Sequence, residues 1–254
     1  MIGGVTMEHK DIKLIALDMD GTLLSPNHEI SEANKQAIHE AKQKGIHVVI
    51  STGRSLPNCK EVIEPLGESA YLITINGGEI YDEGFNLVER NPLSGKDVRH
   101  LWDLTNKHNA FFWSSTVEGR FNSHEPFEKE VEDYEWLKYG FEFEDPELRE
   151  TILSELENND AFEVTNSSPT NIEVNPAGIN KATALRKVTD WLDLTMDQVM
   201  AVGDSVNDLA MIREAGYGVA MGNAQDIVKQ EAQWVTSTNK EDGVAKAIEH
   251  VLNQ

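Results

Sequence analysis

The apolar run Leu14 to Leu17 ends in Asp18-Met19-Asp20-Gly21-Thr22, two aspartates separated by one residue. On an extended segment residues two apart point the same way, so these carboxylates crowd one another. A second acidic group, Asp204-Ser205-Val206-Asn207-Asp208, follows the apolar run Val199 to Val202. Carboxylates gathered in one crevice repel unless a cation neutralises them, and a hard, oxygen-ligated ion such as Mg2+ suits that role, with Asp18 and Asp204 the first-choice ligands. An aspartate beside such an ion can attack phosphorus, and a carboxylate two residues away can then serve as acid and base. Thr52 offers a hydroxyl, Gly53 an unobstructed backbone N–H and Lys181 a point positive charge, together a cradle for phosphate. A calcium loop is excluded, because Gly21 comes too early for the calcium-loop pattern and no bidentate Glu follows at the required spacing.

Singly, Asp-Gly and Asn-Asp are common turn and capping residues. Their joint placement decides against that reading. Asp18 and Asp20 follow one apolar run, Ser51 to Arg54 a second, Asn76 and Gly77 a third, and Gly203 to Asp208 a fourth. In open parallel sheets ligands bind beyond the carboxyl ends of the strands.

The elements that must position these residues read as strand and helix in alternation. "KLIALDM", a helix from Ser31 to Lys44, "HVVIST", a helical stretch from Arg54 to Gly67 and "AYLITINGG" form one series. A second runs from the helix "NKATALRKVTDWL" to the C-terminal helix, so both ends of the chain supply one sheet with crossover helices. The middle differs: ten aromatic residues lie between Phe111 and Phe143, and residues 125–150 are strongly acidic. Its pattern is a hairpin over 79–90, a helix over 94–109, strands "AFFWSST" and "GRFNSH", acidic helices, then strands "AFEVT" and "TNIEVN". The expected fold class is α/β, a Rossmann-like parallel-sheet core (7–84 and 180–254) with an inserted α/β cap (85–179). The aromatic cluster is expected mainly to fill the cap's own core.

The 254 residues carry a formal net charge of -22, which disfavours nucleic acid and anionic membrane surfaces as partners. Cys59 is the single cysteine, so no intrachain disulfide forms, and a reducing, cytoplasmic setting is expected. No signal-peptide h-region or stretch of membrane-spanning length is found, and Met7 is a candidate natural start.

"DMDGTLL", "STGR", "NGG", the lysine of "NPAGINKATAL" and "GDSVNDLAM", in that order, resemble the motifs of the haloacid dehalogenase superfamily, specifically its Cof-like, subfamily IIB phosphatase branch. The resemblance runs from Lys13 to the C-terminus. It implies Mg2+-dependent hydrolysis of a small phosphorylated metabolite, a sugar phosphate or similar monoester, through an aspartyl phosphate. By matching position it makes Asp18 the nucleophile and Asp20 the general acid/base, with the Asp20 carbonyl also on the metal. Asp204 completes the ligands, assisted by Ser205 or Asp208. Thr52, Gly53, Lys181, Asn207 and the Met19 backbone N–H hold the phosphate. P-type ATPases are similar but have Thr where this chain has Asp20, so Asp20 favours turnover. Two alternatives stay open: a phosphomutase, which needs a lid rich in arginine where this one has only Arg90, Arg99, Arg120 and Arg149, and a non-catalytic regulatory or binding protein. Substrate choice is expected to lie in the cap, for example at His124 and Glu125, in a monomer or small homo-oligomer.

Overall fold

The computed structural model describes residues 11–67, 70–125 and 127–253. Met7, read as a candidate start, lies outside them, as does the beginning of the expected core at residue 7.

The strands are β1 (Leu14–Leu17), β2 (His47–Ser51), β3 (Tyr71–Thr74), β4 (Glu79–Asp82), β5 (Leu87–Arg90), β6 (Phe111–Thr116), β7 (Trp136–Glu142), β8 (Phe162–Thr165), β9 (Asn171–Pro176), β10 (Val199–Gly203), β11 (Tyr217–Ala220) and β12 (Trp234–Val235). The longer helices are α1 (Glu32–Gln43), α2 (Leu56–Ile63), α3 (Gly95–His108), α4 (Pro146–Glu157), α5 (Lys181–Trp191), α6 (Leu209–Glu214), α7 (Asp226–Glu231) and α8 (Gly243–Leu252). None is long and apolar enough to cross a membrane.

One sheet has the order β12-β11-β10-β1-β2-β3-β4-β5, parallel from β12 to β3 and closed by the antiparallel hairpin β4–β5. Both faces are covered, which is why its central strands are uninterrupted apolar runs. Ile15 and Leu17 pack with α1, α2 and α8, while Leu14 and Ala16 pack with α5. From β1 the chain proceeds to β2 on one side and returns much later as β10 on the other. The C-terminal ends of β1 and β10 therefore flank a crevice at a topological switch point. β5 lies in the segment expected as cap, yet it hydrogen-bonds to β4 and extends the core sheet.

The second sheet is antiparallel, β6-β7-β9-β8. Alternation along each strand sends Phe112, Tyr139, Phe141, Ile172 and Val174 into an apolar core with residues of α3 and α4. The opposite face, carrying Trp113, Lys138, Glu173 and Asn175, meets the core loops. β7 corrects the sequence reading: residues 136–142 were expected within acidic helices and instead form the strand between β6 and β9. Acidic neighbours dominate the composition there, but from Leu137 to Glu142 apolar and polar or small residues alternate, and Trp136 joins the apolar core beyond a register shift in the pairing with β6.

Candidate active site

At the end of β1 the backbone makes one wide turn, with Leu23 N–H bonded to the Asp18 carbonyl (3.2 Å) and Leu24 N–H to that of Met19 (2.8 Å). Gly21 sits in it at φ +81°, and a Cβ there would stand 2.4 Å from Asp204 Oδ2. A side chain at 21 would thus clash with the acidic loop from β10 and strain the backbone as well. The turn separates the two aspartates of the motif. Asp18 is buried (4% exposed), whereas the Asp20 side chain is half exposed and takes a bidentate pair from Arg54, Nε to Oδ2 at 2.7 Å and Nη2 to Oδ1 at 2.5 Å.

Lys181, the first residue of α5, is fully buried and donates to Asp18 Oδ1 and Asp208 Oδ1, both at 2.6 Å. Asn180 caps that helix through the Thr183 N–H (2.9 Å), which fixes where Lys181 emerges. Asp208 Oδ2 accepts the N–H groups of Asp204 (2.9 Å) and Ser205 (3.1 Å), so both its oxygens are taken. Thr22 Oγ1 donates to Asp204 Oδ1 (2.8 Å) and Ser205 Oγ to Asp204 Oδ2 (3.1 Å). Carboxylate oxygens of Asp18, Asp204 and Asp208 lie within 4.8 Å of one another. Burial, and then the charge of Asp208, push the pKa values of Asp18 and Asp204 up against the pull of Lys181, that of Asp204 to about 6. Lys181 moves upward too, because two carboxylates outweigh the burial that opposes its charge. An all-oxygen cluster that cannot ionise comfortably by itself fits a hard divalent cation.

Above this cluster lies a cavity of about 590 Å³, lined by Asp18, Asp20, Gly53, Ser205 and Asn207 from the core and by Trp113, Arg120, Lys138 and Glu173 from the cap, among others. Thr52 is buried beside it, its Oγ1 accepting the Arg54 N–H at 3.1 Å. Asn207 Nδ2 reaches Asn76 Oδ1 (3.2 Å). The Met19 side chain is buried in the core.

A family model for haloacid dehalogenase-like hydrolases matches residues 15–248. The chain belongs to the haloacid dehalogenase-like hydrolases. It is 58% identical over 246 residues to a 5-amino-6-(5-phospho-D-ribitylamino)uracil phosphatase of Bacillus subtilis, covering 97% of this chain and 98% of that one. A second B. subtilis phosphatase of the same name is 30% identical over 285 residues, covering 95% and 99%. A solved haloacid dehalogenase-like hydrolase from B. subtilis superposes with a TM-score of 0.87 at 27% identity, over 94% of this chain and 99% of that one. The chain is accordingly a phosphoric monoester hydrolase with a Rossmann-like core and an antiparallel-sheet cap.

In this hydrolase the cap supplies groups that motif reading did not find. Lys138 Nζ, 3% exposed as a residue, donates to the Gly53 carbonyl (2.8 Å) and to Glu173 Oε2 (3.0 Å). Glu173 also accepts from Asn76 Nδ2 (2.5 Å) and Ser167 Oγ (2.6 Å). Burial pushes its pKa upward, but Lys138 and these donors overturn that, and the Glu173 pKa lies below the ordinary range. The available signal was polar residues alternating with large apolar ones in "WLKYGFE" and "TNIEVN". Arg54, quoted within "STGR", was given no task and proves to be the partner of Asp20. His124 and Glu125 do not line the cavity; His124 packs against Phe111 with ring centroids 5.1 Å apart.

Proposed function

We propose that this hydrolase removes the phosphoryl group of a small phosphorylated metabolite through transient phosphorylation of Asp18, with Mg2+ as cofactor. The observation that carries the reading is Asp18 itself, a cavity-lining carboxylate held by a buried lysine and crowded by Asp204. Asp18 and Asp204, with the Asp20 carbonyl, would hold the ion, which when bound offsets charge on the phosphoryl oxygens. Asp208, fully buried and bonded to Lys181 and to two backbone N–H groups, orients Lys181 and the Asp204–Ser205 backbone beside the ion, and Ser205 steadies Asp204. Lys181, Asn207, the Thr52 hydroxyl and the backbone N–H groups of Met19 and Gly53 surround the phosphate. Asp20, once it leaves Arg54 and takes a proton from solvent, gives that proton to the departing alkoxide and then takes one from the water that hydrolyses the acyl phosphate.

The names of two relatives suggest 5-amino-6-(5-phospho-D-ribitylamino)uracil as the substrate. Among the cap arginines only Arg120 lines the cavity, which supports a substrate with one phosphate over the bisphosphate chemistry of a mutase.

The test uses Asp18→Asn and Asp20→Asn with Mg2+ and p-nitrophenyl phosphate. Asp18→Asn is expected to release no phosphate. Asp20→Asn is expected to accumulate a phosphoryl group on the Asp18 peptide, seen by mass spectrometry, because the good leaving group needs no acid while hydrolysis still needs a base. Rapid steady turnover by Asp20→Asn, or phosphate on Ser51 or Thr52, would overturn the assignment.

A further inference from the structure

Trp113 and Arg120 are among the cap residues of the cavity that the phosphoryl chemistry leaves without a task. Eight of the ten aromatic residues between Phe111 and Phe143 pack in the cap's apolar core, and Trp113 is not among them. It stands on β6 opposite Gly140 of β7. A Cβ built on Gly140 would lie 2.2, 2.3 and 2.5 Å from three atoms of the indole, separations that real Cβ atoms do not keep. The indole therefore lies across the glycine, in the space any other side chain would fill, and it remains accessible from the cavity it lines. Lys138 Nζ sits 5.0 Å from the ring centroid, fixed by Glu173 and the Gly53 carbonyl, so the ring is held in place. Such a surface is a shelf for another flat ring.

Arg120 is distinguished by its charge. The other six of the chain's seven arginines (Arg54, Arg90, Arg99, Arg149, Arg186 and Arg213) each hold a carboxylate, and among the described residues Arg120 holds none. In a chain of net charge -22, a guanidinium without a carboxylate, lining the same cavity as an aromatic shelf, is available to a ligand's oxygens.

We infer that Trp113 determines specificity for the alcohol part of the ester: it stacks a planar heteroaromatic ring carried by the substrate, while Arg120 donates to oxygen atoms on the edge of that ring. This rests on the reading that the phosphate binds over Asp18 and adds what holds the far end of the molecule. A cavity of about 590 Å³ is far larger than a phosphoryl group needs and within the range of sites that enclose whole metabolites.

The test compares two esters with the same phosphate and polyol, one with the ring and one without: 5-amino-6-(5-phospho-D-ribitylamino)uracil and ribitol 5-phosphate. Trp113→Ala is expected to lower kcat/KM for the ring ester roughly 10- to 100-fold, the usual worth of an aromatic stack, chiefly through KM. The same change should leave the ringless ester within about twofold, and Trp113→Phe, which keeps a flat face, should restore most of the loss. Gly140→Ala, which displaces the indole without removing it, should lose the same discrimination. Equal losses on both esters, or a wild type that hydrolyses the two esters equally well, would overturn the inference. Calorimetric binding of the ring ester is measured in parallel in Asp18→Asn, with and without Trp113→Ala. Tighter binding with the indole present supports the shelf even if the wild type releases phosphate from neither ester, a result that sinks only the phosphatase substrate reading. Binding that ignores the indole sinks the shelf alone.

Discussion

Two buried lysines belong to the site, Lys181 under Asp18 in the core and Lys138 in the cavity wall from the cap, and their surroundings differ in charge balance. Lys138 meets one carboxylate, Glu173, and a backbone carbonyl, and that group of charges is neutral by itself. Lys181 meets Asp18 and Asp208 with Asp204 close by, and one ammonium cannot neutralise three carboxylates. The neutral cluster is complete and joins two parts of the structure. The unbalanced one is where the proposed cation and phosphate would supply the missing charge balance. Burial and lysine are common to both, so it is the residual charge that separates a seam from a site.

The comparison breaks if the two lysines can be exchanged in effect. Lys138→Met strands Glu173 in a buried setting and is expected to destabilise the protein by about 3–5 kcal/mol, read by urea unfolding, with hydrolysis of a small generic ester largely kept. Lys181→Met is expected to do the reverse, lowering phosphate release about 100- to 1000-fold as a charged donor at the phosphoryl group is lost. If Lys138→Met cost as much activity as Lys181→Met, the division into seam and site would be wrong.

Mg2+ sharpens the contrast. At a hundredfold excess over its Kd the ion should add about 2.7 kcal/mol to wild-type stability. The gain should persist in Lys138→Met and vanish in Asp204→Ala, followed as the shift of the melting curve on adding EDTA. Full activity in EDTA would remove the metal assignment.

The smallest effect concerns pH. Glu173 is depressed in the folded protein, so its contribution is complete above the ordinary Glu value of about 4.3 and is lost as pH falls through its native value. Wild type should exceed Glu173→Gln by about 1–3 kcal/mol at pH 7, with the difference closing toward pH 3 in matched denaturant titrations. A difference that stayed constant over that range would mean Glu173 contributes by shape and not by charge.

The core was legible in the sequence because its strands are buried on both faces and end abruptly in polar motifs: Leu14 to Leu17 running into Asp18 needs no tertiary knowledge to stand out. The cap was less legible. In β7 each residue pointing toward the site, Lys138, Gly140 and Glu142, looks like solvent-facing or turn chemistry until β9 brings Glu173 opposite Gly140. Lys138 is useful only because Gly53 ends a strand in the other part of the chain, and no local pattern encodes such a meeting. The bidentate hold of Arg54 on Asp20 was hidden for the same reason, since Arg54 lies beyond the end of a different strand, 34 residues on.

Several bonds across the seam end on main-chain atoms of the core: Lys138 on the Gly53 carbonyl and Asn175 on that of Ile75, while the Asn207 N–H is met by the Asn166 carbonyl. Main-chain groups are present whatever side chains a core carries. A cap bringing its own equivalents of Lys138 and Asn175 would find these main-chain docking points on another core of the same fold, with side-chain bonds such as Asn76 to Glu173 left to be matched. On the proposed division of labour, a seam of this kind would let a cap be exchanged as one part while the core keeps its own loops.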